Sequence, residues 1–250
     1  MTQELLPLRL RSQKLIQDDR GYNTWQTTFE EKEVPASATA LLLCDVWDNH
    51  HCRGAVERLE VMLPRMNAVV RAARDMGVQI VHAPSETMDF YADHPGRQRV
   101  LAAPTIELPP VRNLPEPPLP IDASDGGDDT GGGPGYKAWS RQHPAIEIDS
   151  ERDVISDNGP EILTYLLPRG LQQLLIMGVH TNMCILNRTF AIKAMVRRGL
   201  PIALVRDLTD TMYNPALPPY VAHAEGTRLV VEFIEKFWCP TVLSDDILRG

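Results

Sequence analysis

The chain has 250 residues, 43% of them hydrophobic and 23% charged, with a formal net charge of −8 and a pI of about 5.4. That length suits one α/β domain with a sizeable core. The acidic balance repels phosphate backbones and anionic lipid, so nucleic acid and membranes are set aside and a small-molecule substrate is expected.

The N-terminal sequence MTQELLPLRLRSQKL holds no apolar leader region, and no run of 18 apolar residues follows it. Both features point to the cytoplasm. The four cysteines, Cys44, Cys52, Cys184 and Cys239, form no CxxC pair and no disulfide framework, which fits free thiols in a reducing compartment.

Residues 1–37 are polar and mixed, with alternation in Leu6–Arg11 and Tyr22–Phe29. They read as short strands or an extended arm. Ala38–Asp45 is a continuous apolar run ending in an acid, the pattern of a buried parallel strand. Val56–Met76 has helical spacing closed by Gly77, and Val78–Ala83 reads as the second strand.

Residues 104–144 contain nine of the 21 prolines and the stretch DGGDDTGGGPG. Such a density breaks helices and strands alike and predicts a long functional or mobile loop. Ile146–Ile148 is a candidate short strand. Gly159–Leu167 reads as a helix with Pro160 in its first turn, and Leu171–Val179 is the strongest strand signal. Cys184–Arg198 is expected as one helix closed by Gly199. Pro201–Val205 then reads as a strand, Pro219–Phe237 as the last helix and Pro240–Leu243 as a final strand. Strand–helix alternation predicts a parallel sheet with helices on both faces.

Ligands of doubly wound sheets bind outside the carboxyl ends of the strands. Those ends carry Asp45 in CDVWDNHHC, then His82 with Ser85 and Glu86, then GVHTNMC, then RDLTD. In GVHTNMC a strand ends, the chain turns, and Cys184 opens a helix. A thiol there faces the helix dipole and free N–H groups, which lower its pKa and can hold an oxyanion. A buried, inert cysteine is the competing reading, with even weight on spacing alone.

An apolar strand ending in Asp45, followed much later by a strand and Gly178-Val-His-Thr-Asn-Met-Cys184, resembles the isochorismatase-like cysteine hydrolases, which include nicotinamidases. The likeness spans roughly Ala38–Val205. It implies a single domain over 1–250, carrying the N-terminal arm 1–37 and the insertion 104–144. It also implies a Rossmann-like three-layer α-β-α fold with a mainly parallel, roughly six-stranded sheet, and a homo-oligomer assembled through the arm or the insertion. By the same resemblance Cys184 attacks a carbonyl or imine carbon and Asp45 takes its proton. The Val179–His180 peptide would be cis, with the N–H groups of His180 and Cys184 facing the oxyanion.

The family's third catalytic residue, a lysine before the helix that precedes the nucleophile strand, is missing. None of the five lysines lies between residues 138 and 192. Alignment places Asp157 there, a shifted alignment places Arg152, and Lys137 in the Gly-rich loop could reach in. Arginine would keep the charge without readily giving up a proton, whereas Asp157 would reverse it.

Trp47, His51 and Asn182 are the expected pocket residues, Trp47 as a flat apolar wall. No cofactor is expected. Asp48, His50 and His82 are weak candidates for a divalent metal. A helix cap and histidines lining a wet cleft explain them more simply. Asp207 and Asp210 read chiefly as turn and capping residues. Two other readings stay open. One is a metal-dependent phosphatase, disfavoured because Asp45 and Asp48 are spaced D-x-x-D rather than D-x-D. The other is a binding protein that keeps the fold without the chemistry.

Overall fold

The computed structural model describes residues 4–133 and 135–249. In chain order the elements are β1 (Leu5–Gln17), β2 (Asn23–Pro35), β3 (Thr39–Cys44), α1 (Arg53–Asp75), β4 (Gln79–Ala83) and α2 (Pro95–Leu101). Then follow β5 (Val154–Ile155), α3 (Gly159–Leu166), β6 (Gln173–Val179), α4 (Cys184–Asn187), α5 (Ile192–Arg197), β7 (Ile202–Asp210), α6 (His223–Phe237), β8 (Thr241–Val242) and α7 (Ser244–Leu248). Among the described residues no helix is long and apolar enough to cross a membrane.

One sheet runs in the order β2-β1-β8-β7-β6-β3-β4-β5. From β8 to β5 every pairing is parallel, and β1 and β2 add an antiparallel edge. All six residues of β3 and all seven of β6 are buried. Central parallel strands covered on both faces read as unbroken apolar runs for that reason. Leu41 and Leu43 of β3 point into one apolar layer with α1 and α7, while Leu42 and Cys44 point into the other with α3, α5 and α6. The three-layer α/β fold expected from the sequence is the one observed.

The sheet has eight strands rather than six. Residues 1–37 form two 13-residue strands paired from Leu5↔Pro35 to Gln17↔Asn23, and Arg11 bridges to Thr241 at the sheet's edge. Ile146–Ile148 is irregular, and the edge strand is Val154–Ile155, which pairs with Val81 and His82. β7 runs on through Asp207 to Asp210, past the predicted end at Val205.

The expected single helix from Cys184 is broken. α4 stops after four residues, Arg188 is extended at φ −61° and ψ 155°, and α5 restarts at Ile192. The start of α3 packs into this break. The Gly159 N–H donates to Thr189 Oγ1, and a Cβ on Gly159 would lie 2.0 Å from the Thr189 carbonyl oxygen.

The described residues of 104–144 form no helix or strand, only an isolated bridge between Gln142 and Trp47. The segment is tied down along its length. Arg112 N–H donates to the Arg197 carbonyl, Asp129 pairs with Arg58, and Ser140 donates to Asp48.

Candidate active site

β3 and β6 lie side by side, with Cys44 opposite Gly178. Their backbones approach so closely that a Cβ on Gly178 would sit 2.0 Å from the Cys44 carbonyl oxygen, and Gly178 has φ +120°, a conformation open to glycine. This contact sets the carboxyl ends of the two strands against each other. Asp45 follows Cys44 directly, at φ +51°, and turns its carboxylate toward the segment after β6. The Val179–His180 peptide in that segment is cis.

Asp45 is fully buried. Its Oδ1 accepts the Ser85 N–H at 2.7 Å, and its Oδ2 accepts Arg188 Nε at 3.0 Å. The same carboxylate lies close enough to the Cys184 thiol for its charge to act on it. Met183 and Ile185 both donate their N–H groups to the His180 carbonyl. Cys184, Arg188, Met183 and Asn187 border an open pocket of about 290 Å³. Cys184 and Arg188 thus border a solvent-reachable hollow, and Arg188 reaches from it to the buried Asp45 carboxylate.

Burial raises the Asp45 pKa, and the Arg188 charge opposes that rise. The Cys184 thiol is pushed well above its ordinary value, by burial first and by the Asp45 charge second, with Arg188 pulling the other way. The sequence expectation of a lowered thiol pKa is therefore overturned. A four-residue helix offers only a weak dipole, and burial beside a carboxylate outweighs it.

None of the three predicted third residues takes the lysine's place. Asp157 accepts the Glu86 N–H at 2.8 Å, Lys137 Nζ donates to the Glu86 carbonyl at 2.6 Å, and Arg152 pairs with Asp149 at 2.7 Å. Asp157 and Lys137 thus converge on the backbone of Glu86, which adopts φ +65°. The cation beside Asp45 is Arg188, downstream of the nucleophile strand, whereas the family motif points upstream of it. The i, i+4 spacing from Cys184 was the available signal, since it places two side chains on one helix face.

Trp47 is buried, with its indole N–H on the Ser85 carbonyl and its ring stacked on Trp139 at 4.0 Å. Arg188 lies 6.0 Å from the Trp47 ring. Trp47, His50, Val179 and His180 line a narrow crevice of about 10 Å³ that Asp45 also borders. Burial first and His50 second lower the His180 pKa to about 3, and burial with His51 lowers that of His50 to about 4. Both imidazoles are neutral near pH 7. His51 is half-buried against Gly135, and its Nδ1 has no partner among the described residues.

Asn182 is not a pocket residue. Its amide donates to the Met212 carbonyl at 2.8 Å and accepts the Met212 N–H at 3.0 Å, bracing the loop after β7.

The candidate metal ligands do not converge. Asp48 accepts from Ser140, His50 stacks on Trp139, and His82 is buried between Gln142 and Asp153 at 2.9 Å each. Cys52, Asp128 and Asp129 do lie close together. Asp129, however, is already held by Arg58, while Asp128 caps the backbone of Thr130 and Gly132. A neighbouring guanidinium disfavours a cation there. Asp207 caps α7 through Ser244, and Asp210 joins Arg58 and His223.

No family model matches the sequence, and no curated protein sequence does. Solved structures do match. A cysteine hydrolase from Pseudomonas syringae pv. phaseolicola 1448A superposes with a TM-score of 0.54 at 14% identity, over 86% of this chain and 93% of its own. A protein named for isochorismatase, from Burkholderia xenovorans LB400, superposes with a TM-score of 0.50 at 17% identity, over 85% and 86% of the two chains. At such identities the likeness is one of architecture, and the chain has the isochorismatase-like cysteine hydrolase fold.

Proposed function

We propose that the chain is a cysteine-dependent hydrolase of a small amide or a related C–N or ether-linked substrate. Cys184 is the nucleophile, Asp45 the base, and Arg188 the cation in place of the family lysine. The observation that supports this most directly is that Arg188, which borders an open pocket together with Cys184, also pairs with the buried Asp45.

In this reading the sulfur attacks the carbonyl carbon as its proton passes to Asp45. The tetrahedral oxygen takes its negative charge toward the His180 and Cys184 N–H groups. For an amide, collapse expels the leaving nitrogen, which takes the proton back from Asp45. Water then attacks the thioester, again losing its proton to Asp45, and the acid product leaves with the thiol restored. Arg188 keeps its charge throughout, so it steadies the Asp45 carboxylate and the developing thiolate without joining the proton relay.

The test is ammonia release from a panel of small primary amides and ureas. Cys184→Ala should abolish turnover, and Asp45→Asn should lower it by about 10²–10⁴-fold. Turnover that survives in Cys184→Ala refutes the reading. The raised thiol pKa and the missing lysine favour a second reading, a binding protein without catalysis. Tight ligand binding with no Cys184-dependent turnover on the panel would select it.

A further inference from the structure

Arg188 is held from one side only. Its Nε is committed to the buried Asp45 at 3.0 Å, which fixes the plane of the guanidinium. Its Nη2 meets Glu86 Oε1 at a long 3.5 Å, and its Nη1 has no hydrogen-bond partner among the described residues. The side chain is 30% exposed, in the same pocket as Cys184, and the Glu86 side chain is 50% exposed. The outer fork of the guanidinium thus faces solvent beside the nucleophile.

Glu86 is held by its backbone, not by its carboxylate. Asp157 grips its N–H and Lys137 its carbonyl, so the left-handed turn at φ +65° is clamped on both sides. The carboxylate itself has only the long contact to Arg188 among the described residues. It touches the fork where a substrate carboxylate would bind in two parallel hydrogen bonds.

The geometry points to Arg188 as a specificity-determining residue that binds a carboxylate on the substrate, with Glu86 as the resident acid displaced on binding. The substrate class is then a small molecule carrying both the scissile bond and an anionic carboxylate near it. This rests on the hydrolase reading above and narrows it. Arg188 would carry two duties, orienting Asp45 through Nε and anchoring substrate through its Nη groups.

Two alkylating probes that differ in one group test this directly. Iodoacetate carries a carboxylate and iodoacetamide a neutral amide, and both alkylate the same sulfur. Labelling of Cys184 is followed by peptide mass spectrometry, and the rate ratio of iodoacetate to iodoacetamide is compared with that of glutathione. The ratio cancels the fraction of thiolate, which is common to both reagents.

The wild-type ratio should exceed that of glutathione by about tenfold or more, the scale of one charge-assisted hydrogen-bonded contact. Arg188→Gln should return it to the glutathione value. Glu86→Gln, which removes the competing acid and spares Asp45, should raise it further and serves as the second variant should Arg188→Gln fold poorly. A wild-type ratio at or below that of glutathione, or one unchanged in Arg188→Gln, overturns the carboxylate subsite alone and leaves the hydrolase reading standing. If neither reagent labels wild-type Cys184 up to pH 10, the carboxylate subsite is overturned, while the hydrolase reading stands or falls on Cys184-dependent ammonia release.

Discussion

Replacing Arg188 by methionine removes the charge at Asp45 while leaving a side chain of similar reach. Asp45 is fully buried, and its remaining donor is the Ser85 N–H. Two unit charges about 4 Å apart at an effective dielectric constant of 20 attract by about 4 kcal/mol. Arg188 is nearly one-third exposed, so solvent screens the pair and about half of that is a reasonable expectation. It corresponds to about 1–2 pKa units shared by Asp45 and Cys184, which titrate as a coupled pair. The sign is fixed. Both groups are anions when deprotonated, so losing the cation raises both values and lowers the thiolate fraction at any given pH. The rate of Cys184 alkylation by iodoacetamide, measured from pH 6 to 10, should therefore move about 1–2 units toward alkaline pH in Arg188→Met. Arg188→Lys should fall between the two. A profile that stays in place, or moves toward acid, refutes the claim that Arg188 supplies the cation.

Two further outcomes test the frame around the site. Gly159→Ala places a Cβ against the Thr189 carbonyl in the break between α4 and α5, so it should cost about 1–3 kcal/mol in urea unfolding and slow Cys184 alkylation as Arg188 shifts. The buried Asp153 is the second case. Burial alone would raise its pKa, but hydrogen bonds from His82 and Arg74 hold it at about 2. A carboxyl depressed in the folded state stabilises above its unfolded pKa of about 3.9, and that contribution, about 2 kcal/mol, fades as pH falls toward 2. The urea midpoint of the wild type should drop across that window, and Arg74→Met should lose about 3–5 kcal/mol at pH 7. A midpoint flat between pH 5 and 2 would contradict the assignment.

The parallel core was legible because its strands are buried on both faces. Ala40–Cys44 and Leu174–Val179 carry no charged or polar side chain, and the runs around them became β3 and β6 almost to the residue. The hairpin of residues 1–37 was less legible. Most of β2 is exposed, so no apolar pattern marks its full length. Asn182 was misplaced for a similar reason. An amide near a candidate nucleophile reads as a substrate contact, and only the backbone of Met212, thirty residues on, reveals that both its ends are engaged.

The family motif places the lysine upstream of β6, and there Asp157, Lys137 and Arg152 are all bound elsewhere. A fully buried carboxylate carries a desolvation cost that a nearby cation or several donors must offset. Asp45 accepts one backbone N–H, from Ser85, which leaves room for a cation, and the site must supply it from whatever segment lies within reach. The segment after β6 is that neighbour, because Cys44 and Gly178 are paired. Within it Arg188 stands four residues after Cys184, and an unbroken helix would carry the chain onward past that point. The break at Arg188 turns the backbone extended just where the guanidinium meets Asp45. The same interruption that defeated the prediction of one long helix is therefore what accompanies the placement of the cation. Cys184, Asp45 and Arg188 form a unit set by the charge of a buried acid rather than by the position of a motif.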